Sequence, residues 1–194
     1  MGSPYDDIDP AHWLQRTKEL VGAHPLGSDE IVDVVLGSWR AIFKSRVGAL
    51  RIGLDITPKP QIMGFFLHEL IPREFQRRYP KVWCQERTAA DKDLVCLTDP
   101  TFSVELKTSS HALQIFGNRS YTQAGDSSKK SKSGYYLAVN FEAFQKGRAP
   151  KIKVVRFGWL DDTDWIGQRS QTGQQARIAP AVEKAKLLTL YRSA

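Results

Sequence analysis

The apolar pattern of this chain changes period once, near residue 80, and that change restricts the fold more than any other feature. Before it the spacing is helical. Asp9 and Pro10 cap and start a helix predicted to run to about residue 21, with Trp13, Leu14 and Leu20 as its apolar face. Ser28 opens a second, predicted through about residue 47, in which Ile31, Val34, Val35, Trp39, Ile42 and Phe43 recur every three to four residues. A third starts near Pro60 and carries Ile62, Met63, Phe65, Phe66, Leu67, Leu70 and Ile71. Pro72 has no N–H with which to continue it, so a break and a short new helix to about Tyr79 are expected.

Beyond the change, residues 82–87, 93–98, 102–108, 135–141 and 151–160 read as strands, and Asp99-Pro100 reads as a tight hairpin turn between the second and third. Residues 109–123 are expected to be a loop and a helix, 125–134 a polar basic loop, and 180–191 a helix. Helices around a mixed sheet predict an α/β (α+β) fold. The 194 residues suit one domain, mainly helical over 1–80, sheet-forming over 81–176, with a C-terminal helix or tail over 177–194.

Composition narrows the class. Apolar residues at 41% and charged residues at 25% are globular proportions. Cys84 and Cys96 are too few for a disulfide framework and lack metal-site spacing, which predicts free thiols in a reducing cytoplasm. No apolar run reaches membrane-spanning length, and Asp6, Asp7 and Asp9 make the start unlike a secretion signal. The net charge of +7 is concentrated: between Glu105 and Arg156 ten Lys and Arg face three acids, while the remainder balances at 18 against 18. One basic segment of this kind points to a polyanion or to a solvated face.

The predicted hairpin holds the chemistry. Alternation along 102–108 places Val104, Leu106 and Thr108 on one face and Ser103, Glu105 and Lys107 on the other. Asp93, 12 residues before Glu105 across the turn, falls close to it, and Asp91 is an alternative first acid. Two carboxylates at close range must lose a proton or gain a cation. A hard divalent cation such as Mg²⁺ meets that need, with the Leu106 backbone carbonyl as a further ligand. Lys107 beside it would orient or deprotonate a water and offset transition-state charge. The plain alternative is a solvated Glu–Lys ion-pair face.

The pattern Asp93 … Glu105-Leu106-Lys107 resembles the PD-(D/E)XK nuclease superfamily, although Lys92 stands where its proline would. The stretches ELKTSSHALQIFGNRSYTQ (105–123) and RFGWLDDTDWIGQRSQTGQQA (156–176), with HELIP (68–72), resemble type II restriction endonucleases of the ScaI type. That resemblance, over about 61–176, implies Mg²⁺-dependent hydrolysis of duplex DNA at a short palindrome by a prokaryotic homodimer. It also implies that Glu69, on the third helix, completes the metal site, the alternative being a surface pair with Arg73. His68-Glu69 also begins a zinc-protease motif, but Pro72 occupies the second histidine position.

Several polar residues are candidates for DNA. Ser109 and Ser110 follow the active strand and suit phosphate, or a helix cap. Asn118, Arg119, Tyr121 and Gln123 are dense in base-pairing groups, and Lys129, Lys130 and Lys132 suit phosphate. The run of acids and amides after 151–160 reads as unable to form a core. By resemblance Asp164, Gln168 and Gln171 read bases, the alternative being an ordinary loop with Trp165 packed inside. Two other readings compete with the restriction enzyme: a structure-specific or repair nuclease of the same superfamily, and a non-catalytic DNA-binding module.

Overall fold

The computed structural model describes residues 2–118, 121, 131–145, 148–168 and 175–194. Asp9 accepts from the Ala11 N–H at 2.8 Å and caps a 3₁₀ turn, Pro10–His12, that leads into α1, Trp13–Ala23. Helix α2, Ser28–Lys44, buries Ile31, Val34, Val35, Trp39 and Ile42. It stops three residues before the predicted end, because the chain turns there into a small hairpin, β1 Arg46–Val47 and β2 Leu50–Arg51. Helix α3, Pro60–Arg78, runs unbroken through Pro72, contrary to the expected break. Ile71, Pro72 and Phe75 are all buried. Packing on both sides of the proline holds the helix through the one backbone bond it cannot donate.

The strands are β3 Trp83–Gln85, β4 Leu94–Cys96, β5 Val104–Ser109, β6 Phe116–Asn118, β7 Gly134–Phe141, β8 Ile152–Leu160, β9 Trp165–Gly167, β10 Gln175–Ile178 and β11 Leu188–Arg192. Six form a mixed sheet in the order β11-β8-β7-β5-β4-β3, with β5 and β7 parallel and the other neighbours antiparallel. A second sheet has the order β6-β10-β9. Three expectations change. The turn between β4 and β5 is wider than a tight hairpin and holds a 3₁₀ turn, Pro100–Phe102, capped by Asp99. Residues 116–118 of the segment expected to be loop and helix form strand β6. The C-terminal helix, α4 Pro180–Lys186, ends early, and β11 follows as an edge strand on β8. Leu188, Leu190 and Tyr191 there are half-buried and pack on the main core, with an irregularity in the pairing between Thr189 and Tyr191.

The main sheet buries both faces. One carries Val104, Leu106, Leu137, Val139 and Phe157 against Ile31, Leu67 and Ile71 of the helices. The other carries Tyr136, Ala138 and Leu160 against Trp165, Ala176 and Ile178 of the small sheet. Helix α3 lies close on β5: a Cβ at Gly64 would come within 2.6 Å of Thr108 Oγ1. Both cysteines are buried free thiols, and no described helix is long and apolar enough to cross a membrane.

Candidate active site

Strand β5 is the axis of the site. Its parallel register pairs Glu105 with Tyr136 and Lys107 with Ala138, so both side chains face the small sheet while Val104 and Leu106 fill the helical core. Lys107 Nζ donates to Glu105 Oε1 at 2.7 Å, and the Tyr121 hydroxyl donates to the same oxygen at 2.7 Å. Glu105 is nearly enclosed, whereas the Lys107 side chain keeps 14% of its surface. The single β4–β5 pair, Leu94 with Val104, puts Asp93 across from Glu105. Asp93 Oδ2 accepts the Leu106 N–H at 2.6 Å, so this carboxylate is tied to the backbone between Glu105 and Lys107. His68 Nδ1 lies 3.7 Å from the same Asp93 oxygen. Asp91 is engaged elsewhere: it accepts the Arg87 and Thr88 N–H groups at 3.0 and 2.8 Å, and those bonds hold its carboxyl below the usual range. Of the two candidate first acids, Asp93 is therefore the one beside Glu105.

Two openings flank these residues. His68, Glu69, Arg73, Gln85, Glu86 and Asp93 line a cavity of about 240 Å³. A larger cleft, about 630 Å³, runs between the start of α3 and the end of β5, past Gln61, Phe65, His68, Ser110, His111 and Gln175. His68 borders both. It was legible in the sequence only as half of a failed zinc motif. Glu86, on the rim with Asp93, carries no spacing signal at all. Glu69 is paired with Arg73 at 3.1 Å, one helical turn away. Among the described residues no three His, Cys, Asp or Glu side chains converge to hold a metal. The oxygen set that could hold a cation is Asp93 and Glu105, with the Leu106 carbonyl on the strand between Glu105 and Lys107. It suits Mg²⁺, which is commonly held by one or two carboxylates plus substrate phosphate, and it lacks the nitrogen and sulfur ligands of zinc sites.

The turn beyond β5 is fixed from beneath. Asn140 Nδ2 donates to the carbonyls of His111 and Gln114 at 3.1 and 3.0 Å. Arg156 donates to Asn140 Oδ1 at 2.8 Å and to the Leu113 carbonyl, and pairs with Glu183 at 2.9 Å. This buried network fixes the turn that carries His111 into the cleft lining. Ser109 Oγ accepts the His111 N–H at 3.0 Å and so shapes the turn, while Ser110 lines the cleft.

The small sheet has an inner and an outer face. Ala176 and Ile178 point inward; Gln175 and Arg177 are exposed. Register puts Asn118 beside Gln175, and the Gln168 N–H donates to the Gln175 carbonyl at 3.2 Å. Asn118, Gln175 and Gln168 therefore form one exposed row across the sheet. Lys132 is half-buried, with its carbonyl accepting the Tyr136 hydroxyl at 2.5 Å. Arg119, Gln123, Lys129, Lys130 and Gln171 lie outside the described residues. Asp164 does not face a groove. It is buried with Asp161 around Lys186 Nζ, at 2.9 and 2.8 Å, so the acidic run does contribute to an interior. A nearby cation made that possible, and it comes from α4, twenty-two residues further on. Tyr121 is likewise turned inward, onto Glu105, and not toward a ligand surface.

Comparison with known proteins follows the same line. The chain is 47% identical over 193 residues to the type II restriction enzyme ScaI of Streptomyces caespitosus, a match that spans 97% of this chain and 85% of that protein. Residues 3–191 match the ScaI restriction endonuclease family, taking in α1 to α4 and every strand but the last residue of β11. A glutamate and a lysine on a central strand, with an aspartate tied to that strand from the side, thus lie in a chain that belongs to the ScaI restriction endonuclease family.

Proposed function

We propose that this chain hydrolyses phosphodiester bonds of double-stranded DNA at a short palindromic sequence, that the reaction depends on Mg²⁺, and that Asp93, Glu105 and Lys107 carry it. By family it is a type II restriction endonuclease, a site-specific deoxyribonuclease. The observation that supports the residue assignment is the 2.6 Å bond from the Leu106 N–H to Asp93, which locks one carboxylate to the strand bearing the other two groups.

Asp93 and Glu105, with the Leu106 carbonyl, would hold the metal. When bound, Mg²⁺ supplies positive charge to the phosphate oxygens as negative charge grows on them. Lys107, already within 2.7 Å of Glu105, orients the attacking water and offsets charge on the phosphorane-like transition state. The water oxygen bonds to phosphorus in line, the bond to the 3′-oxygen breaks, and that oxygen leaves and takes up a proton. Glu69, engaged with Arg73, is not required in this set.

The cleft beside α3 suits a DNA strand, with Ser109 and Ser110 near its phosphates. The outer row of Asn118, Gln175 and Gln168, with Arg177 one row behind, has the groups that pair bidentately with adenine and guanine edges. Lys132 and the basic segment it belongs to serve phosphate, which gives binding a steep salt dependence. A palindrome cut in both strands calls for two copies related by a two-fold axis. The test is to incubate the protein with plasmid DNA, with Mg²⁺ and with EDTA, and to map fragment ends. A discrete set of fragments in Mg²⁺ alone is expected. A smear points to a general nuclease, and retardation without cleavage to a binding module.

A further inference from the structure

Tyr121, three residues past the end of β6, lies between the small sheet and the catalytic strand. Its ring lies 4.6 Å from that of Trp165 on β9. It also lies against Gly117 on β6, where a Cβ would come within 2.9 Å of Tyr121 Cγ and 3.0 Å of the Trp165 ring. A glycine there leaves the niche that the tyrosine fills. From that niche the hydroxyl donates to Glu105 Oε1 at 2.7 Å, and the Lys107 ammonium stands 4.8 Å from the ring centroid. A phenol hydroxyl donates to a carboxylate at neutral pH.

We propose that Tyr121 is a positioning residue: its hydroxyl holds the Glu105 carboxylate in orientation, its ring seats Lys107, and through Trp165 and Gly117 it ties both to the sheet that carries the exposed amide row. The proposal rests on the reading of Glu105 as a metal ligand. A glutamate has three rotatable bonds, and a cation binds it more tightly when an outer hydrogen bond already fixes it. Loss of such a partner typically lowers metal affinity or activity by about 10–100-fold. The ammonium over the ring face adds a cation–π contact in a half-enclosed setting.

The test uses Tyr121→Phe, which keeps the ring on Trp165 and beside Lys107 and removes only the hydroxyl. Mn²⁺ is titrated into the wild-type protein, Tyr121→Phe, Glu105→Gln and the double variant, with free Mn²⁺ followed by electron paramagnetic resonance. Single-turnover cleavage of plasmid DNA is measured alongside. Tyr121→Phe is expected to weaken Mn²⁺ binding by roughly 10-fold and to slow cleavage at saturating DNA by a similar factor. The DNA concentration for half-maximal rate and the thermal midpoint should stay put, and Tyr121→Phe should add nothing in the Glu105→Gln background. Wild-type Mn²⁺ affinity in Tyr121→Phe overturns the proposal. So does an equal further loss in the Glu105→Gln background, or a defect confined to the DNA concentration dependence. Wild-type Mn²⁺ binding by Glu105→Gln strikes instead at Glu105 as a ligand, so the two failures are told apart.

Discussion

Two places in this molecule set a pair of carboxylates around a lysine, and they differ in what closes over them. At Lys186 the closure is complete. Its Nζ lies 2.8 Å from Asp161 and 2.9 Å from both oxygens of Asp164, with the rings of Tyr5 and Trp13 at 4.4 and 4.5 Å. The second Asp161 oxygen takes the Trp159 N–H at 3.0 Å, and Asp164 also takes the Asp161 N–H at 2.8 Å. Burial pushes the Asp164 carboxyl up in spite of that lysine. Every carboxylate oxygen is engaged. At Lys107, Glu105 is as enclosed as those acids, at 4%, but Asp93 lines a cavity, and Asp93 and Lys107 each keep 14% of their side-chain surface. Access at Asp93 and Lys107, not residue type, separates the two clusters.

The sharpest way to break this comparison is to remove one member from each cluster. Lys107→Ala or Asp93→Ala is expected to lower cleavage by at least about 10³-fold while DNA retardation in gels persists and thermal stability changes little. Wild-type-like cutting by either variant would remove the proposed mechanism. Lys186→Met should do the reverse. It strands two buried carboxylates and is expected to cost about 3–5 kcal/mol in denaturant unfolding, much of it recovered by adding Asp161→Asn and Asp164→Asn. A stability loss at Lys107 as large as that at Lys186 would erase the distinction.

A buried histidine extends the comparison to an ionisable group held by backbone alone. His24 accepts the Leu26 N–H on Nδ1 at 3.1 Å, so its Nε2–H donates to the Phe102 carbonyl at 3.0 Å. It is packed among Trp83, Phe102, Tyr135 and Phe157. Burial lowers its pKa from 6.5 to about 4. Between those values the unfolded chain binds a proton that the folded chain does not, so stability falls as pH drops from about 6.5 to about 4. The loss is about 3 kcal/mol over that window. His24→Gln should flatten that part of the pH–stability curve; an unchanged slope would count against a neutral buried imidazole. The smallest effect is expected at Gly117→Ala. The added methyl group must move Tyr121 or Trp165, at about 1 kcal/mol of stability and a few-fold loss of Mn²⁺ affinity. An Ala variant that binds Mn²⁺ like the wild type would show that the niche does not govern the site.

The parts of the fold that were legible in the sequence are those whose physics is local. The apolar stripe of α2 and the alternation of β5 each depend on residues a few positions apart, and the structure keeps both. The nearness of Asp93 to Glu105 needs only a short turn between two paired strands. Where reading failed, a distant partner had intervened. Pro72 stays helical because its neighbours are buried on both sides. Residues 188–192 become a strand because β8 offers an open edge. Asp164 goes inside because Lys186 and the N-terminal rings of Tyr5 and Trp13 meet it there. Tyr121 was legible only as one polar residue among several in its segment, and its partner Glu105 lies sixteen residues away on β5.

The helical first two-fifths, the strand-rich remainder, the concentration of positive charge and the strand that brings Glu105 and Lys107 to one face therefore follow from the sequence alone. Tertiary packing settled which charged groups keep some surface and which are sealed, and which hydroxyl holds Glu105. Backbone periodicity is set by neighbours along the chain. The exposure of a charge, and hence its chemistry, is set by whatever the rest of the chain packs over it.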